Sequence, residues 1–364
     1  MFVVATRNFP PDLGGMQNLM EGLSNGLLNH GPVKVFADNF ANAETYDASS
    51  KLQIQRIGGF KIFRKFRKAS LVNEFLNKNQ VRAVFFDHWK SIENIKIEVL
   101  NKQPSFCLIH SKEINHDQGT SLNKRMLAAL SRATFIIANS NFTKNLIKEK
   151  GMTATNIHVI HPGCNYPITV SAEANTKAQQ LFGQANPKII TVARLDKRKN
   201  HEKILMTIKN LIPKFPNIKY ISIGDGEEKN NLLKLKTELN LDKEVEFIFN
   251  SSEQEKVALL SNADLCFMPS IISKKSVEGF GITFIEAAAY GVGSIGGKDG
   301  GQVDAIQHNQ TGLICDGNDL SAIYEAIIKF FENNNNRKFG AAAKEFSKKF
   351  NWSLIVKEYL KLLN

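Results

Sequence analysis

The sequence predicts an α/β protein with two doubly wound parallel sheets, and three observations support this fold class. The chain has 364 residues, more than a single hydrophobic core usually serves. Short apolar runs alternate with amphipathic helical segments along most of its length. These runs form two sets, separated by the polar, alanine-rich stretch 168–187. We therefore expect two domains, 1–168 and 169–349, with a C-terminal helix at about 350–364 packing back on the first.

The first domain begins with the strand "FVVAT" (2–6) and the loop "RNFPPDLGG". A helix follows, in which Leu19, Leu23 and Leu27 recur at helical spacing. Three further apolar runs, "VRAVFFD" (81–87), "SFCLIH" (105–110) and "ATFIIANS" (133–140), have the length and β-branched content of buried strands.

The second domain repeats this alternation. Strand-like runs at 188–194, 219–226, 245–250, 263–270 and 293–297 are each followed by a helical pattern, which predicts a second parallel sheet. Open sheets of this kind bind ligands beyond the carboxyl ends of their strands. Polar residues that directly follow these runs are therefore the candidate site residues.

Composition excludes several classes of protein. No stretch approaches 18 uninterrupted apolar residues, and the N-terminus lacks a basic start followed by a long apolar run, so we expect a cytoplasmic protein. The four cysteines are far apart in sequence and suit neither a disulfide framework nor a metal knuckle. We expect them to be buried thiols.

Positive charge is concentrated in the first half. The net charge is +12, and residues 1–168 contribute +9 of it, with 21 Lys and Arg against 12 Asp and Glu. Residues 48–73 hold seven cations and no acid. Such a patch favours an anionic partner, either a phosphate-bearing surface or nucleic acid, although a solvated helix face gives the same pattern.

Several motif matches carry no function here. "GVGSIG" (291–296) fits a dinucleotide fingerprint, but it follows a helical segment and opens a strand, the reverse of what that site requires. His158 and His161 lie three apart in a strand-like segment and point to opposite faces. No D-x-D pair is present to hold a divalent ion on a sugar nucleotide, so we expect chemistry without a bound metal.

The segment "EGFGITFIEAAAYG" (278–291) is the most informative in the chain. It places Glu278 in a loop and Glu286 inside the following helix, around two glycines that let a ligand approach the backbone. The free N–H groups of the first helical turn form an anion site. The plain alternative is that Glu278 complements the helix dipole and Glu286 is solvated.

Two other loops strengthen the ligand-binding interpretation. "VARLDKRKN" places Arg194 directly after an apolar strand and Lys199 five residues later, so two cations can converge at the end of the sheet. "GDG" places Asp225 between Gly224 and Gly226 at a strand-to-helix turn. Alone, the first is also typical of a solvated charge run and the second of an ordinary turn.

Together these motifs resemble the retaining GT-B glycosyltransferases of family four (glycosyltransferase group 1). "EGFGITFIE" is similar to that family's E-x7-E motif, "ARLDKRK" to its phosphate clamp, and "IHSKE" (109–113) to its H-G-x-E segment. "PPDLGG" resembles its first glycine loop, and the resemblance covers nearly the whole chain in the expected order. It implies two Rossmann-like domains facing across a cleft, a nucleoside-diphosphate sugar as donor, and no cofactor.

The resemblance also implies roles for individual residues. Arg194 and Lys199 would neutralise the donor diphosphate as it leaves. Glu278 and His110 would contact the transferred sugar, and Glu286 the ribose hydroxyls. The remaining donor-binding residues would line the diphosphate and nucleoside: Gly14, Gly15, Gly224, Asp225, Gly226, Phe280, Gly281 and Ile282.

The activity implied is transfer of a hexose or N-acetylhexosamine to a glycan or lipid-linked acceptor. GDP-mannose, UDP-glucose and UDP-N-acetylglucosamine all fit these motifs as donors. Two alternatives remain: a sugar-nucleotide epimerase of the same fold, and a non-catalytic basic binding protein. Nucleic acid is not expected as a partner, since Phe60, Phe63 and Phe66 have the spacing of a helix face rather than of a base-stacking surface.

The basic stretch 56–68 predicts contact with a membrane. In "GFKIFRKFRKASLVNEFL" the cations Lys61, Arg64, Lys65, Arg67 and Lys68 gather toward one end of an amphipathic helix whose apolar side includes Phe63, Phe66, Leu71, Phe75 and Leu76. Such a helix suits an anionic bilayer surface or a phosphate-linked lipid acceptor. The sequence therefore favours an enzyme that lies peripherally on the inner face of the cell membrane.

Overall fold

The computed structural model describes residues 1–12 and 14–364, except for the side chain of Lys61. The chain divides into two compact units. The first comprises Met1–Gly163 together with Asn351–Asn364, and the second comprises Cys164–Phe350.

The first unit contains a seven-stranded parallel sheet with the strand order β3-β2-β1-β4-β5-β6-β7. Its strands are β1 (Phe2–Ala5), β2 (Val33–Asp38), β3 (Gln53–Ile57), β4 (Ala83–Phe86), β5 (Ser105–Ile109), β6 (Phe135–Ala138) and β7 (Ile157–Val159). Its helices are α1 (Gly15–Leu28), α2 (Ala43–Ser49), α3 (Lys61–Lys78), α4 (Trp89–Ile92), α5 (Ile97–Leu100), α6 (Ser111–Ile114), α7 (Ser121–Leu130) and α8 (Asn141–Glu149).

The second unit contains a six-stranded parallel sheet with the order β10-β9-β8-β11-β12-β13. Its strands are β8 (Lys188–Val192), β9 (Lys219–Ile223), β10 (Val245–Ile248), β11 (Leu265–Met268), β12 (Ser294–Gly297) and β13 (Gly312–Cys315). Its helices are α9 (Ala172–Phe182), α10 (His201–Leu211), α11 (Lys229–Glu238), α12 (Glu253–Ser261), α13 (Ile282–Ala289), α14 (Gln302–Ala305), α15 (Leu320–Phe331) and α16 (Asn335–Ser347).

The last helix, α17 (Trp352–Lys361), belongs to the first unit and packs on α1. Glycine permits this close approach. A Cβ atom on Gly22 would lie 2.1 Å from the indole nitrogen of Trp352, and one on Gly26 would lie 2.6 Å from Val356. Trp352 and Val356 are buried there in a core shared with α1 and the sheet.

The predicted fold class is confirmed, and each strand-like run singled out in the sequence contains a strand. The sequence reading gave no strand at "VKVFAD" (β2), "QIQRI" (β3) or "GLIC" (β13). Residues 168–187, expected to join the domains, contain α9, which buries Ala174, Ala178 and Phe182 within the second unit. The alanines that made this stretch look like a linker allow the helix to pack closely.

Two predictions from composition can be compared with the structure. All four cysteines are free and buried, as expected. Among the described residues, no helix is long and apolar enough to cross a bilayer.

Candidate active site

Three adjacent strands bring the candidate residues of the second unit to one edge of its sheet. The strands β9, β8 and β11 are neighbours and run parallel, so their carboxyl ends meet at that edge. Arg194 follows β8, Gly224 follows β9, and Glu278 lies in the loop between β11 and α13. The hydroxyl of Thr283 donates to the carbonyl oxygen of Val192 at 3.2 Å and ties the start of α13 to β8. The edge is therefore a fixed scaffold for the polar residues described next.

Lys199 is buried at the end of the short 3₁₀ helix Lys197–Lys199, with 8% of its surface exposed. Its ammonium donates to a carboxylate oxygen of Glu278 and lies 3.2 Å from the sulfur of Met268. The next residue, Asn200, has φ 64° and donates to the carbonyl oxygens of Pro269 and Gly317. These contacts hold the Lys199 side chain in one position.

Glu278 is the centre of an ion triad. Besides the contact with Lys199, its Oε2 lies 2.7 Å from a guanidinium nitrogen of Arg198. Burial alone would raise the pKa of the carboxyl, but the charges of Lys199 and Arg198 outweigh burial and lower the pKa to about 2. Burial lowers the pKa of Lys199, and the charge of Glu278 opposes this effect. Glu278 therefore remains a carboxylate and positions the Lys199 ammonium.

Arg194 differs from Lys199 in its surroundings. Its side chain is exposed, and its guanidinium makes no ion pair or hydrogen bond within the described residues. A cation without a protein partner at the end of a central strand is available to an anionic ligand. The Arg194 guanidinium can therefore bind a ligand directly, whereas the Lys199 ammonium is already bound to Glu278.

The Gly224–Asp225–Gly226 turn is fixed by backbone contact with the residues that follow β8. A Cβ atom on Gly224 would lie 2.0 Å from the carbonyl oxygen of Ala193, and one on Gly226 would lie 2.3 Å from that of Leu195. The amide of Leu195 donates to the carbonyl oxygen of Asp225 at 3.0 Å. The two glycines are therefore required for the loops after β8 and β9 to pack side by side.

The loop before α13 combines a buried ring with a left-handed glycine. Phe280 is buried, and its ring centroid lies 5.7 Å from that of Phe350. Gly281 has φ 94°, and a Cβ atom there would lie 2.7 Å from the ring of Phe284. Ile282 begins α13; the Phe284 N–H donates to the carbonyl oxygen of Gly281 at 3.0 Å, whereas the N–H groups of Ile282 and Thr283 have no acceptors within the helix. This segment therefore presents backbone donors at the edge of the sheet.

Glu286 lies inside α13 and is buried, so it is not the solvated side chain of the plain alternative. Burial raises the pKa of its carboxyl, and the charge of Lys256 opposes the shift. The ammonium of Lys256 lies 3.8 Å from Oε2 of Glu286. A buried carboxylate with one distant cation retains free capacity to accept hydrogen bonds from a ligand.

The other candidate residues belong to the first unit. Gly14 precedes α1 with φ 154°, and Gly15 is the first residue of that helix. His110 follows β5 and precedes α6, and its backbone N–H donates to the carboxyl of Glu113. Its Nε2 atom has no hydrogen-bond partner among the described residues. Burial lowers the pKa of His110 to about 4, against the charge of Asp87, so the ring is neutral at pH 7.

Asp87, which follows β4, organises the same edge of this sheet and was not among the predicted site residues. It is fully buried and accepts hydrogen bonds from the Thr6 hydroxyl at 2.9 Å, the Arg7 amide at 2.8 Å and the Ser91 hydroxyl at 2.6 Å. Burial would raise the pKa of its carboxyl, but Lys68 and Arg7 hold it below its ordinary value.

The structure corrects the expected basic surface on α3. Lys68 is only 5% exposed, because its ammonium pairs with Asp38 at 2.5 Å and donates to the carbonyl oxygen of Thr6. Arg64 also pairs with Asp38, and Arg56 with Asp47. The run lacks acids in sequence, but folding supplies them from β2 and α2. Lys61 was also predicted to belong to this basic surface, but its side chain lies outside the described part of the structure.

The apolar side of α3 was also expected to be continuous, and the structure divides it. Leu71, Phe75 and Leu76 pack on the core. By contrast, Phe63 and Phe66 are 63% and 51% exposed. Phe60 and Ile62 join them at the start of the helix with 84% and 73% exposure. The N-terminal end of α3 thus carries an exposed apolar tip, defined as Phe60, Ile62, Phe63 and Phe66.

Sequence reasoning missed the cations that pair with the two predicted glutamates, because these pairs depend on tertiary packing. Arg198 and Lys256 bind the two predicted glutamates, yet Arg198 was read as part of a charge run and Lys256 lies on another helix. Arg7 and Asp87 directly follow strands and were detectable by the rule applied to Arg194. Among the described residues, no group of three or more His, Cys, Asp or Glu is arranged to hold a metal ion.

Comparison with known families agrees with this geometry. Residues 173–346 match the family model described as glycosyl transferases group 1. Residues 13–166 match the model described as glycosyltransferase family 4. The two matches together include the strand ends described above in both units.

The individual relatives described next have low sequence identity to this chain. A GDP-mannose-dependent α-(1-6)-phosphatidylinositol monomannoside mannosyltransferase of Mycolicibacterium smegmatis is 23% identical over 336 residues, which cover 89% of this chain and 87% of the relative. An N-acetyl-α-D-glucosaminyl L-malate synthase of Bacillus anthracis is 29% identical over 186 residues, covering 50% of this chain and 46% of the relative.

Among solved structures, Anabaena HepE in complex with UDP superimposes with a TM-score of 0.81 at 17% identity, covering 100% of this chain and 99% of that one. This similarity shows the fold. With matching family models on both units, a GT-B fold and the predicted motifs at the ends of the central strands, the chain belongs to the group 1, family 4 glycosyltransferases and is a glycosyltransferase.

Proposed function

We propose that the protein is a retaining glycosyltransferase that moves a hexose or N-acetylhexosamine from a nucleoside-diphosphate sugar to a glycan or lipid-linked acceptor. The observation that carries this proposal is the edge of the second sheet, where an exposed arginine, a buried lysine, a half-buried glutamate and a buried glutamate occur together. The M. smegmatis relative is named for GDP-mannose. GDP-mannose is therefore the first donor to test, followed by UDP-glucose and UDP-N-acetylglucosamine.

The leaving diphosphate is the group that Arg194 and Lys199 serve. Both are cations at the end of β8, and positive charge there stabilises the negative charge that develops as the sugar departs. Lys199 is already held by Glu278, so it need not be reorganised when the donor binds. We assign these two residues, rather than a metal ion, to charge neutralisation. Full activity in EDTA is the expected result.

The two glutamates serve different parts of the donor. Glu286, buried with free acceptor capacity, accepts hydrogen bonds from the ribose hydroxyls. Glu278 orients Lys199 and accepts from hydroxyls of the transferred sugar. The Gly224–Gly226 turn and the backbone of Phe280, Gly281 and Ile282 complete the nucleotide site.

Retention follows in this proposal from displacement on the same face of the sugar. The leaving phosphate takes the proton of the acceptor hydroxyl, while neutral His110 orients the sugar. The donor-binding role of Gly14 and Gly15 in the first unit rests on the family motif. The anomeric configuration of the product, measured by proton NMR, tests this step, and an inverted product would contradict it.

Contact with a membrane is proposed through the apolar tip of α3. Four large apolar side chains are exposed within seven residues, beside the cations Lys65 and Arg67. Isolated exposed apolar residues are ordinary, but a contiguous patch bordered by cations suits an anionic bilayer surface. The acceptor is then a lipid-linked molecule, and the enzyme lies peripherally on the cytoplasmic face.

Sedimentation with vesicles tests the membrane proposal. Binding should rise with anionic lipid, and Phe63→Ser/Phe66→Ser should reduce it by at least about tenfold, since each buried aromatic ring contributes about 1.5 kcal/mol or more. Leu354→Ser, which changes another exposed apolar residue on the same unit, is the matched control. If wild type ignores anionic vesicles at low salt, the acceptor is soluble.

The alternative drawn from the sequence, an epimerase of the same fold, is not adopted, because both matching family models are glycosyltransferase models. It would convert the sugar nucleotide without an acceptor, and it would release no nucleoside diphosphate as a product of transfer. Chromatography of the sugar nucleotide after incubation separates the two activities.

A further inference from the structure

We infer that the first unit holds an anion site for a phosphate ester of the acceptor, formed by Arg7, Lys90 and Lys65. The inference rests on the proposed function, since it assigns a chemical class to the acceptor. The site lies at the carboxyl edge of the first sheet, where β1 and β4 are neighbours and Ala5 is aligned with Phe86.

The geometry starts from Asp87. The Arg7 amide donates to this carboxylate, so the residue after β1 lies beside the residue after β4. The guanidinium of Arg7 is half-buried, and its Nε atom has no partner among the described residues. Asp87 already accepts from Thr6 and Ser91, which leaves the arginine fork available to an external acceptor.

Lys90 lies on the same edge. Its amide donates to Nδ1 of His88 at 2.9 Å, and its ammonium lies 5.1 Å from the centroid of the Trp89 ring. Burial, followed by the charges of Arg7 and Arg125, lowers the pKa of Lys90. The nearby Glu93 accepts hydrogen bonds from two guanidinium nitrogens of Arg125, at 2.9 and 3.1 Å. Within the described residues, the ammonium of Lys90 therefore has no ion pair of its own.

Lys65 is placed by Lys68, one turn further along α3. Residues three apart share a helix face, and Lys68 donates to the carbonyl oxygen of Thr6, next to Arg7. Asp38 is occupied by Lys68 and Arg64. The ammonium of Lys65 lies 4.7 Å from the ring centroid of Phe66, so the cation cluster adjoins the apolar tip.

The charges of the side chains at this edge indicate which class of ligand the site binds. The ammonium of Lys90 lies near the positive charges of Arg7, Arg125 and Lys65, and Glu93 is the acid beside it. The Asp87 carboxylate lies near Arg7 and also near Lys68, so the edge has an excess of positive charge. Burial raises the pKa of Glu113 to about 8, so that acid contributes little negative charge at neutral pH. An arginine fork with two lysines suits a phosphate group, with several oxygens to share. Its position beside the apolar tip suits a phosphate at a bilayer surface.

Two probes and two matched variants test the site in the full chain. The probes are glycerol 3-phosphate in solution, measured by calorimetry, and phosphatidylcholine vesicles with or without phosphatidylglycerol, measured by sedimentation. The test variant is Arg7→Gln/Lys90→Gln. The control, Arg82→Gln/Lys51→Gln, removes one arginine and one lysine that are exposed and precede β4 and β3, at the opposite edge of the same sheet.

The test variant should bind the phosphate probe at least about tenfold more weakly than wild type, as expected for lost charged hydrogen bonds, while the control binds like wild type. Glycerol 3-phosphate binding shows that a free phosphate ester is recognised; binding to anionic vesicles alone shows that the lipid headgroup is required. Lys65→Gln, which alters a half-buried side chain in the first turns of α3, repeats the test if the double variant unfolds. Equal binding by test variant and wild type, or no binding of either probe by wild type, overturns the inference. GDP and UDP binding should be unchanged, which separates this result from failure of the proposed donor site.

Discussion

Replacing Arg194 and Lys199 separately by alanine should impair catalysis equally and stability unequally. Each cation is assigned to the leaving diphosphate, and one positioned charge contributes about 3 kcal/mol to transition-state stabilisation. Turnover should therefore fall roughly a hundredfold in either variant. The two side chains differ in everything else: Arg194 is exposed without a partner, whereas Lys199 is 8% exposed and bound to Glu278.

The cost to folding follows from that difference. Lowering the pKa of Glu278 from 4.5 to about 2 corresponds to about 3 kcal/mol of interaction with its surroundings. Removing Lys199 leaves Glu278 with Arg198 alone, and breaking a buried pair from one side costs about 3 to 5 kcal/mol. Since Arg198 remains, we expect a loss of about 2 to 3 kcal/mol for Lys199→Ala. Arg194→Ala should change the free energy of unfolding by less than about 0.5 kcal/mol.

Urea unfolding and release of nucleoside diphosphate measure the two effects on the same samples. The double variant Lys199→Met/Glu278→Gln removes both charges and should recover part of the lost stability but none of the activity. Wild-type turnover in both single variants would refute the assignment of the clamp. Equal destabilisation by the two single variants would refute the ion triad.

The remaining predictions concern single residues of the second unit. Glu286→Gln should weaken binding of free nucleoside diphosphate by about 1.5 to 3 kcal/mol in calorimetry, because charged hydrogen bonds to ribose are lost, whereas Glu278→Gln should mainly impair transfer; equal losses of affinity would contradict this division. The folded-state pKa of Glu278 is below its unfolded value, so its contribution to stability is complete above about pH 4.5 and disappears as the pH falls toward 2. Urea midpoints at pH 6 and pH 3 should therefore differ less in Glu278→Gln than in wild type, and an unchanged difference would count against the shift. Gly224→Ala places a Cβ atom 2.0 Å from the Ala193 carbonyl oxygen and should lower the melting temperature and donor affinity together, unlike Gly58→Ala, whose Cβ meets nothing within 4 Å.

Much of the fold was predictable because parallel strands buried on both faces are nearly continuous apolar runs. "FVVA", "IITV" and "LCFM" are of this kind. "QIQRI" was missed because β3 is an edge strand whose side chains are mostly half-exposed, so its alternating polar residues gave no apolar run. The helix α9 was taken for a linker because two of its three buried residues are alanines and only Phe182 is large.

The site was predictable where position along a strand determined it. Arg194 and Gly224 follow central strands, and the sequence alone places them at one edge. Pairing was not predictable in this way. The partnership of Glu278 with Arg198, of Glu286 with Lys256 and of Lys68 with Asp38 depends on tertiary packing between elements far apart in sequence. For the same reason, fewer cations of α3 are exposed and unpaired than the sequence indicated, since Arg64 and Lys68 pair with Asp38.

The central claim is that charged side chains of this protein catalyse the transfer of a sugar from a nucleotide sugar. One measurement tests this claim most directly. Wild type and Arg194→Ala are incubated in EDTA with GDP-mannose, UDP-glucose and UDP-N-acetylglucosamine, and thermal stabilisation and release of nucleoside diphosphate are recorded. We predict that at least one donor stabilises wild type and is slowly cleaved, and that Arg194→Ala loses about a hundredfold of this cleavage. No response to any donor, or cleavage that appears only when manganese or magnesium is restored, would contradict the account.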